Sequence, residues 1–395
     1  MSRVGLLTTS YPRHEGDVAG LFVRGFARAL AARGHEVEVL APEPREERAA
    51  PADDGVSVRW IPYARPRSLA RTFYGAGVPD NVRDPRAWPG LVTYPAALHH
   101  AARRAVPGWD AVVSHWALPC ALVAGAVRGS RPHLAVLHSA DVHLMRRLPL
   151  RSRWARAIAE SATQLLFSSE ALRADVLDWL PPLARADLAA RSHVSAMGID
   201  PIDAPARRAA RQALGARGFV ALSLGRLVPI KGVEVAIDAA ARLGDIELWI
   251  AGEGPLRGEL EARAARLGVA ARFFGEVTGP TKAALLAAAD AFVAPSLEQP
   301  SGRTEGMPTA LLEAAVAALP IVASRSGGIP EVLTHDRTAL LVEPGDAMAL
   351  GAALSELRSD RALRRRLGRA ARTVGRRYLW SELAPRIEEL VLADP

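Results

Sequence analysis

Cysteine is almost missing from this chain of 395 residues. Cys120 stands alone, so no intrachain disulfide can form, and a reducing, cytoplasmic setting is the expectation. Lysine is nearly missing as well: Lys and Arg together number 50, yet only positions 231 and 282 are lysine. Arginine supplies the rest of the basic charge and the formal net charge of +8, which permits attraction to anionic partners without identifying one. Long apolar runs are absent. No stretch of about eighteen uncharged apolar residues exists to span a bilayer, and the opening MSRVGLLTTSYPRHEG holds too short an apolar run for a secretory signal. No Asp-x-Asp pair and no His/Cys cluster has metal-ligand spacing, so no metal cofactor is expected. Zinc-finger spacing and interleaved aromatic–basic motifs are lacking too, which argues against a nucleic-acid partner.

What is present describes a folded protein of two domains. The length exceeds what one core usually supports, and 49% hydrophobic with 23% charged residues is an ordinary globular balance. Arg3–Thr8 reads as a buried strand, a polar loop follows, and Leu21–Ala32 has helical periodicity before the strand HEVEVLAP. Residues 41–86 read as an irregular insertion with one strand-like piece, Val56–Ile61, and Ala117–Val127 as a buried helix. Strand-like runs recur at Ala111–Ser114, His133–His138, Gln164–Phe167 and His193–Ser195. After Met197-Gly198-Ile199-Asp200 and a linker, FVALSLG begins a second series of alternating strands and helices. The expected division is 1–204 and 205–378, with an amphipathic helix over 379–395 packing back on the first part.

Candidate site residues cluster at the carboxyl ends of strands, the edge where open α/β sheets bind ligands. Gly16 and Gly20 lie in the first loop, and His115 and His138 each end a strand, with Asp141 and His143 just beyond His138 either as site residues or as caps of the next helix. In the second half, Arg226 and Lys231 follow one strand and Gly252 and Gly254 the next. The stretch Gly302–Leu333 places Glu305 and Glu313 around Gly306, Met307, Pro308, Thr309 and Leu311, with Pro308 suited to the first helical position. Backbone N–H groups at such a helix start favour an anion. Arg226 and Lys231 add charge for a diphosphate, and Glu313 suits ribose hydroxyls. Each residue alone reads equally as a surface charge or a turn residue; their joint occurrence points to a sugar-nucleotide site. Between His143 and Ala157, Arg146, Arg147, Arg151, Arg153 and Arg156 stand beside Leu148, Leu150 and Trp154. That is either a solvated basic face or a docking patch for anionic membrane.

GRLVPIKG, AGEGPL, and EGMPTALLEA followed by PIVASRSGGIPEVL resemble the donor-site signatures of glycosyltransferase family 4. SYPRHEGDVAG, the HW of SHWALP, LHSADVH, FSSEAL and MGID are similar to its acceptor-domain landmarks, so the resemblance covers nearly the whole chain. It implies an α/β GT-B fold, two Rossmann-like doubly wound domains facing a central cleft. It also implies roles. Arg226 and Lys231 contact the donor diphosphate. Glu305 faces the sugar and Glu313 holds the ribose. The amides from Gly306 to Leu311 complete the phosphate site, His138 touches the donor sugar, and Gly16–Gly20 border the diphosphate and acceptor. Gly20, His115 and Asp141 are then the expected acceptor-side residues, and Gly252 and Gly254 part of the donor side.

The expectation is a metal-independent, retaining glycosyltransferase that moves a hexose from a nucleotide-diphosphate sugar to a glycan or lipid-linked acceptor of cell-envelope polysaccharide. Two alternatives share the same donor site: a sugar-nucleotide epimerase or hydrolase, and a non-catalytic nucleotide-sugar-binding module.

Overall fold

The computed structural model describes residues 1–45, 51–74, 78–82, 84–300, 302 and 304–394. The chain divides into two compact units, Met1–Gly198 with Trp380–Pro395, and Ile199–Leu379. Each is a parallel sheet covered by helices on both faces.

The first unit holds β1 (Arg3–Leu7), β2 (Glu36–Pro42), β3 (Val56–Ile61), β4 (Ala111–His115), β5 (His133–Leu137), β6 (Gln164–Phe167) and β7 (Ser192–Val194). Their order across the sheet is β3-β2-β1-β4-β5-β6-β7, with every pairing parallel. The second unit holds β8 (Phe219–Leu224), β9 (Ile246–Ala251), β10 (Ala271–Phe273), β11 (Ala291–Ala294), β12 (Ile321–Ser324) and β13 (Leu340–Val342). Their order is β10-β9-β8-β11-β12-β13, again wholly parallel. The central strands are runs of Val, Leu, Ile and Ala with almost no exposed surface, as sheets covered on both faces require. In each unit the winding reverses once, between β1 and β4 and between β8 and β11. A crevice for ligand opens at the carboxyl ends of strands at such a reversal.

Several expectations shift. The division falls just before 204, because Ile199 is bound within the second unit: its N–H donates to Tyr378 O at 2.8 Å, and it bridges to Leu379. Within 41–86 the expected strand-like piece, Val56–Ile61, is a strand and pairs along β2 over six residue pairs. Parts of that expected insertion, at 46–50, 75–77 and 83, lie outside the described residues. Helix Trp88–Ala105, with Pro95 inside it, has no counterpart in the periodicity reading. Over Ala117–Val127 the expected single helix is broken by the extended residue Leu118, and regular α-helix runs only from Leu122 to Val127.

The terminal helix Trp380–Val391 belongs to the first unit and packs along the helix Leu21–Ala31. Its buried residues Trp380, Ala384, Ile387 and Val391 recur at helical spacing and join the core with Phe26 and Leu30. The Trp380 ring fills space that a side chain at Gly25 or Gly198 would occupy, since a Cβ there would lie 2.2 Å and 2.4 Å from it. It also meets Phe26 edge-on at 6.1 Å. Truncating this anchor leaves a cavity between elements that cannot close by side-chain motion alone. Trp380→Ala is therefore expected to lower unfolding free energy by about 3–5 kcal/mol, read from urea denaturation. A loss below about 1 kcal/mol would show that this helix does not hold the unit together.

Candidate active site

Strand β8 ends at Leu224, and the chain turns through Gly225 and Arg226 into a 3-10 turn, Pro229–Lys231. Lys231 extends over Gly225, where a Cβ would stand only 3.2 Å from its Cε. Its Nζ lies 2.7 Å from Glu305 Oε1, and both side chains are mostly buried. Ser296, just past β11, donates its hydroxyl to Glu305 Oε2 at 2.8 Å. Both Glu305 oxygens are thus engaged at the β8/β11 reversal. Arg226 is exposed on the same rim. The enclosed space there is about 20 Å³, room for a water molecule.

The backbone at Glu305 is held from behind. Gly328 N donates to Glu305 O at 3.3 Å and Gly306 O at 3.1 Å, and a Cβ on Gly327 would collide with Glu305 O at 1.8 Å. Gly327 has φ +54°, so glycine alone fits this approach. Gly252 and Gly254 play a comparable part at the neighbouring loop, with side-chain positions blocked by Gly225 O and Leu227 O. Met307 packs on the domain core. Pro308 is the N-cap, with extended ψ of 120°, and the helix runs Thr309–Val316; this corrects its expected place inside the first turn. The Leu311 amide already donates to Pro308 O at 3.1 Å, so the anion-binding set expected up to Leu311 narrows to the start of the helix.

Glu313, on that helix, meets a residue to which the sequence assigned no role. Lys282, on the helix Gly279–Ala288, places Nζ 2.6 Å from Glu313 Oε1. The chain's two lysines therefore each hold one of the two glutamates. Lysine scarcity was a usable signal for Lys282, but nothing in the spacing of 282 and 313 announced the contact. Ser296 gave no signal at all.

In the first unit, Gly20 caps the helix Leu21–Ala31 in the left-handed region, with its Cβ position blocked by Ser10 O at 2.5 Å. Gly16, also at positive φ, is exposed on the loop before it. His115 closes β4 and stacks on His138, ring centroids 5.4 Å apart and 12° from parallel. Trp116 follows at φ 71°, a conformation that costs energy for a bulky residue. Its ring lies 5.1 Å from His138 and 5.7 Å from Phe22.

Hydrogen bonding sets the tautomers here. The His138 side chain accepts the Asp141 amide, so its Nε2 carries the proton and donates to His115 Nδ1 at 3.1 Å. That leaves the His115 Nε2–H buried without a partner among the described residues. His115, expected on the acceptor side, has no exposed surface and reaches a ligand only through His138. Asp141 is corrected likewise: its carboxylate accepts the amides of Ala117 at 2.6 Å, His138 at 2.9 Å and Val142 at 2.9 Å, and it caps the helix Ser139–Arg147. His138 retains 8% of its surface, with both ring nitrogens engaged, so bonding to a ligand requires exchange of one of them. Among the described residues, no three His, Cys, Asp or Glu side chains converge as a metal-ligand set.

Two domain families match the chain, "Glycosyl transferase 4-like domain" over residues 19–191 and "Glycosyl transferases group 1" over 207–374. A D-inositol 3-phosphate glycosyltransferase from Jonesia denitrificans is 31% identical, over 93% of this chain and 90% of that protein. The chain belongs to glycosyltransferase family 4. A GDP-mannose-dependent alpha-(1-6)-phosphatidylinositol monomannoside mannosyltransferase from Mycobacterium tuberculosis is 28% identical, over 100% of this chain and 99% of that one. In fold, this glycosyltransferase matches sucrose-phosphate synthase from Thermosynechococcus elongatus with a TM-score of 0.78 at 20% identity, covering 99% and 98% of the two chains. Both units are thus the Rossmann-like domains of the GT-B fold.

The histidines of this glycosyltransferase carry a pH signature. Burial pushes His138 down to about 3 and His133 down to about 4, and burial with the neighbouring His138 holds His115 well below its usual value. Unfolded, each takes up a proton near pH 6.5. The stability they contribute is present above that pH and is lost as pH falls toward about 4. Asp141 runs the other way: burial pushes it up to about 7, so its contribution is present at low pH and lost as pH rises through about 7. Three histidines outweigh one aspartate. Between pH 7 and pH 5 a net loss of stability is expected from these shifts, read as a lower urea midpoint. An unchanged midpoint would contradict the neutral histidine pair.

Proposed function

We propose that this glycosyltransferase moves a hexose from a nucleotide-diphosphate sugar to a glycan or lipid-linked acceptor of the cell envelope, with retention at the anomeric carbon and without a protein-bound metal. The Lys231–Glu305 pair carries the reading, since it places an ammonium and a carboxylate together at the sheet reversal of the second domain. The likeness to enzymes named for inositol phosphate and phosphatidylinositol acceptors favours a polyol or lipid-linked acceptor.

In this reading Lys231 and Arg226 meet the charge that grows on the departing diphosphate, joined by the amides at the start of the helix Thr309–Val316. Binding of the donor draws Lys231 from Glu305 toward phosphate, which releases a Glu305 oxygen to face the sugar hydroxyls. Glu313 keeps one oxygen on Lys282 and offers the other to the ribose. The bond from anomeric carbon to phosphate oxygen breaks, and the acceptor hydroxyl oxygen bonds that carbon on the same face. Its proton passes to the leaving phosphate, so no metal hydroxide or separate base is required. His138 exchanges one of its two bonds to contact the donor sugar. The exposed Leu150 and Trp154, beside Arg147 and Arg153, are proposed to touch anionic membrane where a lipid-linked acceptor resides.

Lys231→Ala and Glu305→Ala are each expected to lower kcat by about 10²–10³ while circular dichroism stays native; full turnover by a folded Lys231→Ala protein would refute the site. Lys282→Met should raise KM for the nucleotide sugar about tenfold, near 1.4 kcal/mol, with kcat little changed and Lys282→Arg restoring the parent value. A fall in kcat at constant KM would remove Lys282 from the nucleotide side. Transfer is further expected to survive excess chelator, and loss of activity restored by one divalent metal would overturn the metal-free reading.

A further inference from the structure

A second concavity lies in the second domain, away from the Lys231 rim. It sits at the amino-terminal ends of β11 and β12, lined by Asp290 and Pro320, which immediately precede those strands, and it encloses about 820 Å³. Six arginines surround it, Arg207 and Arg211 from the helix Arg207–Leu214 and Arg361, Arg364, Arg365 and Arg372 from the helix Arg361–Arg376. Asp290 is the one acid among the lining residues. Leu286, Val316 and Leu319 give it an apolar floor.

Three of the arginines are spent on the fold. Arg207 and Arg211 hold Asp290 at 2.6 Å and 2.8 Å and also bond carbonyls at the end of the helix Gly279–Ala288. Arg364 bonds the carbonyls of Leu357 and Arg358 and lies 5.7 Å from the centre of the Phe219 ring. The other three are not spent. Arg361, Arg365 and Arg372 are exposed and have no bonded partner among the described residues. Their spacing of four and seven residues puts them on one face of their helix.

Arginine abundance alone does not account for this. Some helical arginines elsewhere face acids one turn away, as in Arg156 with Glu160 and Arg257 with Glu261. The helix Arg361–Arg376 has seven arginines and no acid. Crowding is felt at Arg207, whose guanidinium is held below its usual value by burial and by the charges of Arg211 and Arg364, against the pull of Asp290. Planar guanidinium forks match phosphate oxygens in pairs, and an anion is the group that would relieve such crowding.

We infer that this cavity binds a phosphate-bearing ligand at a site separate from the donor site. Its charge would be met by Arg361, Arg365 and Arg372, and any apolar portion would rest on Leu286, Val316 and Leu319. Free diphosphate compounds and phospholipid headgroups both carry this chemistry.

The test uses the full chain carrying Lys231→Ala, so that the donor site does not report. Inorganic pyrophosphate is titrated calorimetrically into this protein and into one that also carries Arg361→Gln, Arg365→Gln and Arg372→Gln. A charge-matched control instead carries Arg103→Gln, Arg242→Gln and Arg266→Gln, three exposed arginines away from the cavity. In parallel, all three are sedimented with phosphatidylglycerol vesicles. The expected result is binding weakened at least tenfold by the cavity substitutions and less than twofold by the control. Seen with pyrophosphate, this assigns a soluble ligand; seen with vesicles alone, it assigns a lipid headgroup. Equal behaviour of the cavity variant and the control in both arms overturns the proposal. With Lys231 restored, transfer activity and thermal midpoint of the triple cavity variant should match the parent, so loss of this site and loss of the donor site are told apart.

Discussion

Parallel pairing is the constraint on which the rest of this protein depends. Because all strands within a sheet point the same way, the loops leaving their carboxyl ends gather on one edge of that sheet. The single reversal in each sheet then leaves a gap there for a ligand. Lys231 after β8, Ser296 after β11 and Glu305 beyond it are far apart in the chain, yet hydrogen-bonded at that gap. No local propensity produces such a meeting; it follows from the crossover order.

The charges on this rim are arranged so that neither sign stands bare. Each motif glutamate has a lysine within 2.7 Å, and each pair is mostly shielded from water. An isolated carboxylate in such a place would cost several kcal/mol, so the lysines make the glutamates tolerable before any ligand arrives. In the proposed reading, a diphosphate that competes for Lys231 exposes Glu305 to the sugar through the same ion pair. The first domain takes the opposite course. There the polar cluster of His115, His138 and Asp141 is neutral or satisfied by backbone amides and is sealed by Phe22 and Trp116.

Much of this was legible beforehand. Alternation of Val- and Leu-rich runs with periodic segments marked the doubly wound domains, because strands buried on both faces must be apolar throughout. The glycine-flanked GRLVPIKG and EGMPTALLEA marked the carboxyl-end rim of the second sheet, because backbones approach there more closely than a Cβ permits. The helix Trp88–Ala105 was not legible: Pro95 and Gly90 break its pattern, and burial of Tyr94 and Leu98 in the tertiary core supports it instead. His115 looked like a ligand-facing residue because it ends a strand. Strand position alone could not tell that His138 and Trp116 would cover it.

Sequence alone settles the two-domain parallel architecture and the want of thiols and metal-ligand spacings, and it singles out Arg226, Lys231, Glu305 and Glu313 as candidates. These are properties of composition and of short-range period, which the chain carries wherever it folds. Packing in three dimensions settles that Lys282 serves Glu313, that Asp141 is spent on three amides, and that six arginines ring one cavity. Each of those depends on helices and loops far apart in sequence arriving at the same point. Side-chain charge has no preferred sequence separation in water, so the partner of a given lysine or aspartate is chosen by packing.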